Sequence, residues 1–341
     1  MKKNNHIKIA YLFFVLFLTF SIGCKKDDSS TNSSSSPSTI YICGITEGSN
    51  NLAKCWVNGV DNLLSSNSSE AKCCFFSGNS IYYSGCDFYN GNNVATYWKN
   101  GSAIHLPPAP AVDVNDKGEG IYVNNDDVYI TQFGQFDKGY WMNTQFFSLS
   151  NCRTAGAILI NNGDVYVAGT GAGNGGQQFY EQAKYWVNGT EVVLGAPSVN
   201  SNATSIKIVG NDIYVAGRQY SSSLGYGVAT VWKNGVAIAL SSAPSWTYSI
   251  DVANGTTYVC GEVKDTSNYN LISTYWKNSQ ETQLTSSNFE AGGNCIKVNG
   301  SDVYIAGYYD GQACYWKNGV INLLPKTSGS ATEYANSIWI K

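Results

Sequence analysis

The sequence predicts an all-β chain folded as a seven-bladed β-propeller, with four antiparallel strands in each blade. Three observations predict it. A motif centred on tryptophan, clearest as Tyr97-Trp98-Lys99-Asn100-Gly101, returns at Trp56, Trp98, Trp141, Trp186, Trp232, Trp276 and Trp316. The intervals are 42, 43, 45, 46, 44 and 40 residues, the size of one propeller blade. Each interval also holds four short segments rich in β-branched and aromatic residues, bounded by Gly, Asn or Asp, and these read as strands. Finally, segments such as Asp302-Val303-Tyr304-Ile305-Ala306-Gly307 are apolar on both alternating faces. A sheet with one face in water would show polar residues on it, so these strands are covered on both sides.

The chain opens with a leader. Lys2, Lys3 and Lys8 give residues 1–23 a positive start, and Ile9 to Ile22 form a 14-residue apolar run. That is shorter than the roughly 20 residues needed to span a bilayer, and it reads as a secretory signal. Ser21-Ile22-Gly23-Cys24 resembles the lipobox of bacterial lipoproteins, which implies cleavage before Cys24 and acylation of that cysteine. Several acyl chains on one residue anchor a protein stably to a membrane. Residues 24–37 carry the lipidated cysteine and a Ser-rich run that reads as a flexible tether. Asp27 and Asp28 resemble a signal for outward display in some Gram-negative lipoproteins; a merely solvated tether is the other reading. The expectation is an exported protein anchored to the bacterial outer membrane at Cys24, with periplasmic or cell-surface facing left open.

Residues 38–341 build the propeller. Blade five shows the four strands as Ser205–Ile208, Asp212–Gly217, Ala229–Trp232 and Val236–Leu240. The third and fourth are joined at Asn58, Asn100, Asn143, Asn188, Asn234, Asn278 and Asn318, five of which precede Gly. Asn-Gly supplies the two positive φ angles of a type I′ hairpin turn. The recurring Asp127, Asp164, Asp212 and Asp302 are assigned to turns. The first blade begins at Ile40-Tyr41-Ile42-Cys43-Gly44, which matches a second strand. Its missing first strand is found at Ser337–Ile340, so the C-terminal strand closes the ring. Blade three fits least well, with Gln132 in place of the usual Gly and Met142-Asn143-Thr144 in place of Lys-Asn-Gly.

Ala95-Thr96-Tyr97-Trp98-Lys99-Asn100-Gly101 followed by Leu106 resembles the HAF-type extracellular repeat, whose pattern is Ala-Phe-x-Trp-x-x-Gly with a Leu shortly after. In size the blades are also similar to kelch and WD40 blades, without the diglycine of the one or the Trp-Asp of the other. The resemblance implies a secreted β-propeller and no defined activity. It supplies no catalytic residues.

The tight turns are expected on one face of the disc. The connections between second and third strands, and between blades, then fall on the other face as long, variable loops. Binding usually lives on such loops. The candidates are Phe88, Tyr89, Phe136, Phe179, Tyr180, Tyr220, Tyr226, Tyr269, Tyr308, Tyr309 and Asp310, aromatic rings beside polar groups that suit a glycan or a peptide. Without the leader, 18 basic residues face 24 acidic ones, and only Arg153 and Arg218 are arginines. No basic footprint for nucleic acid is present.

Catalysis has less support at this level. His105 is the only histidine after the leader, and it lacks the His or Cys spacing of a metal site. Two arginines cannot form a sialidase clamp. Asp113–Glu119 fails as a calcium loop, because Lys117 and Asn124 fall at ligand positions. No metal or cofactor is expected. Glu47, Asp87, Asp137, Glu181, Glu262, Asp265 and Asp310 are assigned to the loop face, so a glycosidase-like carboxylate pair stays open. Of the nine cysteines beyond Cys24, Cys86 and Cys152 are placed in loops as the better disulfide or reactive-thiol candidates. The functional expectation is a non-catalytic, lipid-anchored scaffold for an extracellular glycan or protein. The alternatives are a carbohydrate-active enzyme and a structural subunit of an envelope complex.

Overall fold

The computed structural model describes residues 38–110, 115–133, 138–173, 180–195, 199–327 and 332–341. The chain divides into Met1–Pro37 and Ser38–Lys341, and all described residues belong to the second unit. The leader, Cys24 and the tether therefore lie outside the described residues, as do Phe136 and Phe179.

The described residues form seven four-stranded antiparallel sheets with no helix. Six blades are wound in simple chain order, with inner strands Ser69–Ser77, Lys117–Asn124, Cys152–Asn161, Ser201–Val209, Ser245–Ala253 and Ala291–Asn299. Blade one takes its inner strand from Thr332–Ile340, which pairs antiparallel with Ile40–Glu47. Thr39 and Lys341 then exchange backbone hydrogen bonds of 2.8 and 2.9 Å, so the ring is closed as the sequence predicts.

The repeated tryptophans are fully buried, and each belongs to an apolar cluster shared with the preceding blade. Trp276 of blade six packs with Tyr214, Ala216 and Val231 of blade five; Trp56 of blade one packs with Tyr304 and Ala306 of blade seven. The motif's asparagine has a second task besides its turn. All seven have φ between 46° and 55°. Each also accepts a backbone N–H from the start of the second strand, as Asn234 Oδ1 does from Ile213 at 2.9 Å. Asn143, Asn188, Asn234 and Asn318 donate in turn to Asp127, Asp164, Asp212 and Asp302. The motif's leucine ends the outer strand: Leu106 N donates to Ala95 O at 2.8 Å, and its equivalents repeat the bond.

Every inner strand carries a bulge at one level, opposite the glycine of the second strand. A bulge leaves one residue out of the ladder and re-aims its side chain. It also brings an inner-strand carbonyl against the glycine: a Cβ on Gly261 would lie 1.9 Å from Trp246 O, and one on Gly85 1.8 Å from Glu70 O. In blade three Gln132 stands at this position. There the ladder opens between Gly118 and Ile121, and Gly120 N donates instead to Thr131 Oγ1 at 2.8 Å.

The seven inner strands surround a central cavity of about 270 Å³. One level of its wall runs through Lys207, Asp251, Lys297, Trp339, Phe75 and Tyr122. Lys207 Nζ lies 2.7 Å from Asp251 Oδ1, and Lys297 Nζ sits 4.6 Å above the Trp339 ring. Phe75 then packs between Trp339 and Tyr122, 4.6 Å from each. Leu159 of blade four completes the level, so three charged and three aromatic residues share it with one aliphatic residue.

Two sequence-based expectations need correction. Cys86 and Cys152 lie in strands, not loops, and no described cysteine forms a disulfide. The second-to-third connections are not uniformly long. In blades two and seven they are two-residue turns, Asn90-Gly91 and Asp310-Gly311, with positive φ at both residues. A short turn-forming pair was hidden there among residues read as loop.

Candidate functional site on the loop face

The second strand reaches the loop face just after its glycine. The next residue is Arg218 in blade five, Glu262 in blade six and Tyr308 in blade seven, three unlike side chains at one repeat position. Each extends toward the inner strand of the following blade. Arg218 Cζ lies 4.4 Å over the Trp246 ring. Glu262 occupies the space above Gly292, where a Cβ would fall 2.1 Å from Glu262 Oε1. Tyr308 meets Tyr334 edge-on, with ring centroids 4.9 Å apart.

Tyr248, the residue released by the blade-six bulge, completes the arc. It donates to Glu262 Oε2 at 2.9 Å, and Tyr308 donates to Oε1 at 3.4 Å. Burial raises the Glu262 pKa above its ordinary value, more than the two phenols lower it. Burial and the Glu262 carboxylate push both tyrosines up as well. The result is a carboxyl that holds its proton to higher pH, flanked by two phenols that stay neutral. Such a group can exchange hydrogen bonds, or a proton, with a polar partner.

Arg218 contrasts with it. Burial lowers its pKa, no carboxylate pairs with it among the described residues, and its buried Nε has no protein partner. It opens on a cavity of about 360 Å³ shared with Asn202, Tyr220, Tyr226 and Glu181.

A second concavity, of about 290 Å³, lies in blade two around His105. His105 Nε2 is 3.1 Å from Asp87 Oδ2, and its ring stacks on Tyr89 at 3.9 Å. Ser65 Oγ donates to the other oxygen of Asp87 at 2.7 Å. The carboxylate thus stands between serine and imidazole, so His105 is not placed to take the Ser65 proton. Nearby, Glu70 is held by Lys72 and by Lys117 at 3.0 Å, an ion cluster satisfied within itself.

Of the sequence candidates, Tyr308 joins the Glu262 arc, and Tyr220 and Tyr226 line the Arg218 cavity. Tyr89 lies over His105. Phe88 and Tyr269 are exposed, Tyr180 is half-buried beside the third strand of blade four, and Tyr309 packs on Phe289 at 5.4 Å. Asp310 is the first residue of a tight turn. These side chains are spread over several blades and do not form one site. Trp246 and Tyr248 were not singled out from the sequence, and Arg218 entered only as one of two arginines. The signal was the residue after the repeat glycine, which changes from blade to blade while the glycine itself recurs in six of the seven.

The carboxylates assigned to this face have separate partners: Asp87 holds His105 and Ser65, Glu262 holds two tyrosines, and Asp265 holds Ser267. The three bond to no common group. Among the described residues, no cluster of three His, Cys, Asp or Glu side chains could hold a metal ion.

No family model and no curated protein matches the chain. Solved structures do. The puromycin-hydrolysing peptidase of Mycobacterium tuberculosis matches over 84% of this chain and 55% of its own, with 9% identity and a TM-score of 0.52. The uncomplexed acylaminoacyl peptidase of Pyrococcus horikoshii matches over 86% and 51%, with 12% identity and a TM-score of 0.54. The chain spans about half the length of these structures, and at such identity the likeness is one of fold. It nevertheless corrects the expectation of a non-catalytic scaffold, together with its glycosidase and structural-subunit alternatives. These two similar structures are peptidases, so the architecture gives no ground for setting catalysis aside.

Proposed function

We propose a peptidase-related role, in which the loop face receives a short peptide and orients it for hydrolysis. The observation that carries this reading is the Arg218–Tyr248–Glu262–Tyr308 arc at the channel mouth, a line of polar groups on a fold otherwise matched by the propeller-like half of peptidases. A peptide presents amide, amine and carboxyl groups in a row, and the arc offers a carboxyl, two phenols and a cation. The hydrolytic groups themselves are not assigned to this chain.

The test is release of nitroaniline from N-acetyl-alanine p-nitroanilide and alanine p-nitroanilide. It is run with the purified chain and with the chain gently captured from its own cells. Activity in either preparation, reduced about tenfold by Glu262→Gln, is expected. No activity in both overturns the reading.

The location belongs to the same proposal. What supports it is the leader and the lipobox-like Ser21-Ile22-Gly23-Cys24, which imply an acylated Cys24 and attachment to the outer membrane. The HAF-like assignment rests likewise on the Ala95–Gly101 pattern. A Cys24→Ser variant is expected to leave the membrane fraction; one that still sediments with membranes removes the anchor.

A further inference from the structure

Among the described residues, Arg218 is a cation without a counter-ion. Its guanidinium carbon lies 4.4 Å over the Trp246 ring, and its Nε is buried with no partner among the described residues. A guanidinium stays charged even where burial lowers its pKa, and it is less costly to desolvate than an ammonium. The cation–π contact restrains it against the ring and leaves its N–H groups to donate. Gly227 makes room for it, since a Cβ there would lie 2.4 Å from Arg218 Nε. Most charged side chains of the repeat are paired, as Lys233 is with Asp212 and Lys317 with Asp302, both at 2.8 Å. A preformed, unpaired fork beside a cavity of about 360 Å³ is built to take a planar anion from outside.

We propose that this cavity binds the carboxylate of a peptide, whether at the chain terminus or on an acidic side chain. The peptide as ligand class rests on the function proposed above; the carboxylate rests on Arg218 itself. The lining favours a single negative charge among neutral groups. Glu181 stands on the rim, tied to Arg153 at 3.7 Å, and opposes a polyanion. Asn202 and the rings of Tyr220 and Tyr226 supply amide and aromatic surface for the adjoining peptide units.

The test is calorimetric titration of the full chain with N-acetyl-trialanine as free acid, with its C-terminal amide, and with N-acetyl-Ala-Glu-Ala amide. The two carboxylate peptides are expected to bind, and the trialanine amide about tenfold more weakly. Arg218→Gln removes that preference. Gly227→Ala weakens it by displacing the guanidinium while keeping the charge, and decides the matter if Arg218→Gln does not fold. Equal binding of acid and amide, a preference that survives Arg218→Gln, or no binding of either acid at about 1 mM overturns the site. Glucuronate binding more tightly than both acids overturns the peptide assignment. N-acetyl-alanine p-nitroanilide carries no carboxylate, so the two proposals fail separately: acid binding without its hydrolysis removes only the proposed function, and hydrolysis without acid preference removes only this site.

Discussion

Tyr248 donates its phenolic hydrogen to Glu262 Oε2 at 2.9 Å, from the one residue that the bulge frees from the blade-six inner strand. The backbone irregularity therefore places a hydrogen-bond donor over a buried carboxyl. Glu262 has a raised pKa, chiefly from burial, so the folded state binds its proton more tightly than the unfolded state. Its contribution is favourable below the unfolded value of about 4.3 and is lost as pH rises through the folded value. Glu262→Gln is expected to match the parent near pH 4 and to exceed it in melting temperature as the pH rises. The gain would be about 2–4 °C for each kcal/mol of removed penalty. Melting curves between pH 4 and 8 check this, and a variant that loses ground at neutral pH sinks it.

The ion group in the central channel should behave in the opposite sense. Burial acts to raise the Asp251 pKa, but Lys297 and Lys207 outweigh it and the net shift is downward. Its stabilising effect is thus present above the unfolded value of about 3.9 and fades as pH falls through the lower folded value. Asp251→Asn leaves both lysines without their shared counter-ion. Because Lys207 keeps 35% exposure, the expected loss is about 3 kcal/mol, the lower end for a broken buried pair. Denaturant melts at neutral pH measure it.

The seam tryptophans are not equivalent. Trp186 Nε1 donates to Ser150 O at 3.0 Å, whereas the buried Trp232 Nε1 has no protein partner. Replacement by Phe removes similar apolar surface at both places but breaks a hydrogen bond at only one. Trp186→Phe is expected to cost about 1 kcal/mol more than Trp232→Phe. Replacement of either by Ala should cost about 3–5 kcal/mol.

The turn asparagines offer a cleaner test. Asn318 adopts φ 51°, accepts from Val303 N at 2.8 Å and donates to Asp302 Oδ1 at 2.8 Å. Asn318→Gly keeps the backbone conformation and loses the bonds; Asn318→Ala loses both. Equilibrium unfolding should rank Ala below Gly, with a loss of about 1–3 kcal/mol for Ala. Equal losses would show that the side-chain bonds alone matter.

Much of this architecture was legible because it repeats. Seven tryptophans, seven asparagines and the misplaced Ser337–Ile340 strand fixed blade number, turn type and closure before any coordinates. The bulges were not legible as such, although their trace was. The glycine in Ala-Gly pairs such as Ala216-Gly217 is there because a carbonyl approaches it, as Asn202 O would approach a Gly217 Cβ at 2.0 Å. Sequence shows the glycine and not the carbonyl. The site was harder for a related reason. Arg218, Trp246, Tyr248 and Glu262 come from two blades and meet through side chains, a proximity that no spacing along the chain records. Aromatic residues in loops are what the sequence displays, and the two-residue turns at Asn90 and Asp310 leave fewer such loops than expected.

The clasp between Thr332–Ile340 and Ile40–Glu47 bears on how the molecule comes into being. The first blade to be synthesised is the last that can be finished, because its innermost strand is encoded some 290 residues after the strand it pairs with. Until that strand arrives, Ile42 and Trp56 lack a wall that Ile338 later supplies. Blades two to seven can form as the chain lengthens, but an emerging chain holds two unmatched rims until Thr332–Ile340 has been made. Such a chain stays open to chaperones for longer than a sandwich of equal size. Its maturation would be timed by Thr332–Ile340, not by the strands made first.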